Sequence, residues 1–190
     1  MAQQRERAAD DAMMTRIGQV VMLAHAGDRE EARDRLLGLW AEVGEHGDPL
    51  HRCTLAHYMA DTQDDPGDEL AWDLRALSAA DARSGHPRTP AHETSPALRS
   101  LYPSLHLNLA ADYVKLGRPA AARSHLARAR AAAGTLGDDG YGDGVRAALA
   151  RLEQQVAALP PDGDAERDGD DDEGGGRSGG EPLGPPRRGA

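Results

Sequence analysis

One stretch constrains the fold more than any other: Ser104–Ala133, which carries two short apolar periodicities separated by Gly117-Arg118-Pro119. Leu105, Leu109, Tyr113 and Leu116 recur at helical spacing before the break, and Ala122, Leu126 and Ala129 recur after it. Gly117 can adopt the left-handed conformation that closes a helix, and Pro119 suits the first turn of the next, where its missing N–H costs nothing. The chain is thereby predicted to fold back on itself as a helical hairpin. Small Ala110 and Ala122 let the two helices approach, with Tyr113 and Leu126 filling the space beside them.

The order of small residue, aromatic, Gly, Ala, large apolar residue and Ala resembles a tetratricopeptide repeat. Ala110, Tyr113, Gly117, Ala122, Leu126 and Ala129 carry the resemblance, whereas His106 stands at the first aromatic position and Gly134 at the closing Pro. A weaker copy lies upstream: Gly27, Ala32 and Leu36 match Gly117, Ala122 and Leu126, with Leu23 in place of Tyr113 and Leu39 in place of Ala129. Between them, Asp48-Pro49 and Asp64-Asp65-Pro66-Gly67 read as helix starts of a degenerate middle hairpin with about three extra residues in its turn. Pro96–Leu101 reads as a short helical turn, after which Pro103 restarts the chain. Val145, Leu149, Leu152, Val156 and Leu159 then mark an amphipathic capping helix. The resemblance implies an all-α fold, a right-handed array of about three tetratricopeptide-like hairpins closed by a C-terminal cap.

The expected divisions are a frayed segment over 1–9, the helical domain over 10–159, opened by a cap at Asp10 or Asp11, and an acidic Gly/Pro-rich tail over 160–190. Residues 84–95 are expected to form the longest internal loop. Past Pro160 nine acids stand against four arginines, so half of the net charge of −10 belongs to the tail, which has too little apolar content to bury and is expected to be disordered. The rest is acidic and has no basic stripe, which argues against nucleic-acid binding. Cys53 is the only cysteine, so no intrachain disulfide is possible. Ile17, Asn108 and Lys115 are the only residues of their kinds and Phe is absent, a skew of the sort GC-rich genomes impose. The opening MAQQRERAADDAM has no apolar leader core, and no run reaches the length of a membrane span, so the expected setting is the cytoplasm.

No enzyme signature is present, and neither catalysis nor a cofactor is expected. Gly140, Gly142 and Gly144 mimic a phosphate loop but follow no strand. By the register of the resemblance, the inner groove consists of Ile17, Val21 and Ala24, then Cys53, His57 and Asp61, then Leu107, Asn108, Ala111, Val114 and Lys115. The resemblance implies protein–protein interaction, with a partner's peptide held in that groove and His57, Asp61 and Lys115 giving it direction. Two alternatives stay open. One is self-assembly into a homodimer through the 145–159 helix. The other is a metal site or hydrolase using Cys53, His57 and Asp61, which recur at i, i+4 and i+8, with His51 or His106 as a further ligand. His25, His46, His86, His92 and His125 read as surface or capping residues. Trp40 and Trp72 read as packing between hairpins, with exposure as a binding anchor an alternative for Trp72.

Overall fold

A computed structural model describes residues 2–82 and 96–160, with side chains described from Asp10 onward within those ranges. The described residues form seven α-helices, α1 (Ala2–His25), α2 (Arg29–Val43), α3 (Pro49–Ala60), α4 (Pro66–Asp81), α5 (Pro96–Lys115), α6 (Pro119–Ala132) and α7 (Gly140–Ala157). A 3-10 turn, Ala133–Thr135, precedes α7. The fold is all-α, and each helix packs on its neighbours in the chain. α1 also packs on α3, α3 on α5 and α5 on α7, a closer association than the second helices of the hairpins make with one another.

Turn chemistry explains the first and third hairpins. Gly27 and Gly117 both have positive φ, 105° and 67°, which a side chain would oppose. The next amide in each case reaches back five residues, Asp28 N–H to the Leu23 carbonyl (3.3 Å) and Arg118 N–H to the Tyr113 carbonyl (2.8 Å). Asp28, the residue before α2, makes no side-chain cap. The middle hairpin closes differently. Asp48 caps the Leu50 and His51 amides, Asp65 caps those of Gly67 and Asp68, and Pro49 and Pro66 occupy the first turns. Its longer turn is held from α2, where Arg29 donates to the Asp61 and Gln63 carbonyls and Arg33 to the Thr62 carbonyl and the Asp64 carboxylate.

Three helix boundaries differ from the sequence reading. α1 begins at Ala2, ahead of Asp10 and Asp11. Pro103 does not restart the chain, because α5 runs unbroken through it. Proline removes one N–H and so frees the carbonyl four residues earlier, that of Arg99. Thr135 Oγ1 lies within hydrogen-bond distance of that carbonyl at 3.1 Å and of the Ala132 carbonyl at 2.9 Å, and its single proton is shared between the two. α7 starts at Gly140 rather than near Val145, with the Asp139 carboxylate accepting from the Gly142 amide. A Cβ on Gly142 would fall 2.1 Å from the Gly137 carbonyl oxygen, so glycine is needed for a tight helix start, not for a phosphate cradle.

Three apolar clusters hold the array. Ile17, Val20, Val21, Leu36 and Leu39 join Leu55 and Met59 of α3. Cys53 and Ala56 meet Ala76, Ala79 and Ala80 of α4 with Leu98 and Leu105 of α5. Ala110, Ala122, Leu126 and Ala129 meet Leu149 and Val156 of α7. Trp40 and Trp72 meet edge to face, centroids 5.3 Å apart, and both border the first two clusters. They pack between hairpins as expected. Residues 83–95 and 161–190, which contain the expected loop and nearly all of the tail, fall outside the described residues.

Thr135→Val should leave the Arg99 carbonyl without its donor and cost about 1 kcal/mol, seen as a melting temperature lower by roughly 2–4 °C. Thr135→Ser should melt like the parent. Equal melting of parent and valine variant would show that the Pro103 position needs no such partner.

Candidate functional site between the second and third hairpins

The helical stripe that buries Ala76 and Ala80 of α4 also carries Asp73, and the stripe of Leu105 and Leu109 on α5 also carries Asp112. Both carboxyl groups therefore enter the interior where apolar residues would be expected. Each side chain is only 1% exposed. They are close enough for one to donate a hydrogen bond to the other when protonated. Burial first, then the charges of Asp73 and Glu69 and the hydrogen bond to Asp73, push the Asp112 carboxyl up to about 8, against the pull of Lys115.

Polar groups of α3, α4 and α5 surround this pair. His57 Nδ1 of α3 lies 3.6 Å from Asp73 Oδ1 and 3.4 Å from Asn108 Nδ2 of α5. Burial alone would lower the His57 pKa, but the close approach and charge of Asp73, with the charge of Asp61, together hold it above its ordinary value. At the other end, Lys115 Nζ contacts both Glu69 oxygens at 2.6 Å and Asp112 Oδ1 at 3.6 Å. Lys115 is thus already committed to carboxylates of its own chain.

The residues expected in the groove divide three ways. His57, Asn108 and Ala111 are half-buried, on the adjacent helices α3 and α5, and Asp61 and Lys115 are exposed near the ends of those helices. Leu107 and Val114 instead pack against the third apolar cluster. Ile17, Val21 and Cys53 are core residues, because the stripe expected to face a groove faces the neighbouring helices, and Ala24 packs against that core. Cys53 is fully buried, and burial, reinforced by Asp73 and Asp81, pushes its thiol up to about 12. It therefore does not share an open face with His57 and Asp61, and the thiolate needed for metal binding or attack is disfavoured. Among the described residues no group of three or more His, Cys, Asp and Glu side chains is arranged to hold a metal ion.

His106 and His125 are buried, which corrects the surface reading of His125. Their Nδ1 atoms lie 3.1 Å apart between α5 and α6, so one ring donates and the other accepts. Burial, then the charge of Arg128, lowers His106; burial, then His106 and Arg128, lowers His125 to about 4. The sequence reading missed Asp73, Asp112 and this pair. The available signal was a polar residue at a core position of the helical period.

Comparisons with protein-family models, with curated proteins and with solved structures gave no match to this chain. No helix among the described residues is long and apolar enough to cross a membrane.

The histidine pair sets the acid limb of stability. Unfolded histidine titrates near 6.5 and folded His125 near 4, so within that window the unfolded chain binds more protons and stability falls as pH falls. His125→Asn, whose amide can stand in for Nδ1, should flatten the decline in melting temperature between about pH 6.5 and pH 4.5. An unchanged slope would remove the pair from that role.

Proposed function

We propose that this chain is a non-catalytic interaction module of tetratricopeptide-like hairpins, acting in the cytoplasm, whose first-helix face between α3 and α5 receives a peptide segment of a partner protein. The observation that carries the reading is the juxtaposition of His57, Asn108 and Ala111, half-buried polar and small groups on two adjacent first helices. The matching turns at Gly27 and Gly117 and the packing of α1, α3, α5 and α7 on one another support repetition of one unit.

The electrostatics indicate the partner's chemistry. A clamp for a terminal carboxylate needs uncommitted cations, and Lys115 is held by Glu69 and Asp112. With Lys115 and Glu69 paired, Asp61 leaves this end of the face acidic, which favours a segment carrying Arg or Lys. Self-assembly through the last helix is less well supported, because Val145, Leu149 and Val156 are buried and Leu149 and Val156 pack within the third apolar cluster of their own chain. That helix is further tied down by Arg123, which donates to the Leu159 carbonyl at 2.8 Å, and by the Arg130–Glu153 ion pair.

Selection of random displayed peptides against the full chain should enrich basic sequences. The selected peptide should bind Ala111→Arg and Asp61→Lys at least about tenfold more weakly than the parent, a loss of about 1.4 kcal/mol. Peptides indifferent to both substitutions but sensitive to Leu37→Asp, on exposed Leu37 of α2, would place the binding face elsewhere.

A further inference from the structure

The seam between the second and third hairpins combines three features that a purely structural core would avoid. Both Asp73 and Asp112 are essentially without solvent, and Asp73 Oδ1, Asp73 Oδ2 and Asp112 Oδ2 have no hydrogen-bond donor. Two buried carboxylates in contact cannot both ionise cheaply, whereas one shared proton leaves a single charge and closes an O–H···O bond between the helices. The charged groups facing the pair do not offset a second negative charge. From α3 come His57, at 3.6 Å from Asp73, and acidic Asp61; from α4 comes Glu69; from α5 comes Lys115, which reaches Asp112 Oδ1 at 3.6 Å but lies closer to Glu69, at 2.6 Å.

The position of the pair gives it mechanical leverage. α4 and α5 pack on each other along their length, α4 ending at Asp81 and α5 beginning at Pro96. At their alanine-rich end Ala76, Ala79 and Ala80 pack against Leu98 and Leu105, and Tyr102 of α5 donates to the Asp81 carboxylate of α4 at 2.6 Å, a tie that does not involve the aspartate pair. The opposite end, Glu69 and Asp73 against Asp112 and Lys115, is polar.

We infer that a proton shared by Asp73 and Asp112 latches the third hairpin onto the second, and that its loss to solvent opens the polar end of the α4–α5 seam about the alanine end. The charge of the pair then goes from −1 to −2 within the interior, and separation of the helices admits the water that the two carboxylates require. The value near 8 for Asp112 places the change close to neutral conditions. Because His57 touches Asp73, the face proposed to bind peptide moves with the latch, but the latch itself holds whether or not that face has a ligand.

Hydrogen exchange read by mass spectrometry on the full chain tests this directly. Protection of segments 66–75 and 106–115 is taken as a ratio to protection of α2 at the same pH, which cancels the intrinsic base-catalysed rate. In the parent the ratio should fall about tenfold or more between about pH 6 and pH 9, whereas in Asp112→Asn, whose amide can donate to Asp73, it should change less than about twofold. Asp73→Asn makes the same replacement from α4, so the test survives if one variant fails to fold. A parent ratio that stays constant, or one that falls equally in the parent and in the asparagine variants, would overturn the latch.

Discussion

Two carboxyl groups buried against each other govern how the second and third hairpins can meet. An apolar pair at Asp73 and Asp112 would join α4 to α5 regardless of pH and would leave His57 with Asn108 alone and Lys115 with Glu69 alone. The carboxyl pair makes that junction conditional on a proton and on surrounding charge. His57 and Asn108 on one side and the Lys115–Glu69 ion pair on the other are ordered by it, so the residues most suited to recognition take their geometry from an energetically costly core.

The rest of the array supplies the stability that tolerates this cost. Leu36, Leu55, Leu105 and Leu109 are fully buried, and the helix starts at Asp48, Asp65 and Asp139 satisfy amides that would otherwise be orphaned. Pro103 illustrates the same economy. Its lost hydrogen bond is compensated from outside the helix by Thr135, which also anchors the turn after α6 to α5. The histidine pair between α5 and α6 works in the opposite sense to the carboxyl pair. It stays neutral when folded and weakens the fold in acid, whereas Asp112 holds a proton that the unfolded chain has already lost, and so weakens the fold as pH rises toward 8. The two effects oppose each other between about pH 4 and pH 6.5, and above that only the loss of the carboxyl proton acts.

The all-α class, the hairpin at Gly117, the proline-started helices and the packing role of the tryptophans were legible because each follows from local rules: helical period, φ at glycine, and the missing N–H of proline. The continuity of α5 was not legible, since the donor that compensates Pro103 comes from Thr135, more than thirty residues away in sequence. The groove was legible only in part. Placing residues by repeat register put His57, Asn108 and Ala111 on the faces of α3 and α5 that are not fully buried, but it treated Ile17, Val21 and Cys53 as equivalent when neighbouring helices cover them. Asp73 and Asp112 were overlooked because charge was read as a mark of the surface. Their spacing from Ala76 and Leu109 marked them as interior.

The most direct measurement is a carbon-13 carboxyl titration of Asp73 and Asp112, assigned by single asparagine substitutions. If the shared proton is what joins the hairpins, one of the two signals should remain that of a protonated acid at about pH 7 and titrate near 8, with the partner signal shifting in the same step. Two independent titrations near the ordinary aspartate value of about 3.9 would contradict it, because both carboxylates would then be ionised and solvated at neutral pH, and the seam would have to be held by other contacts.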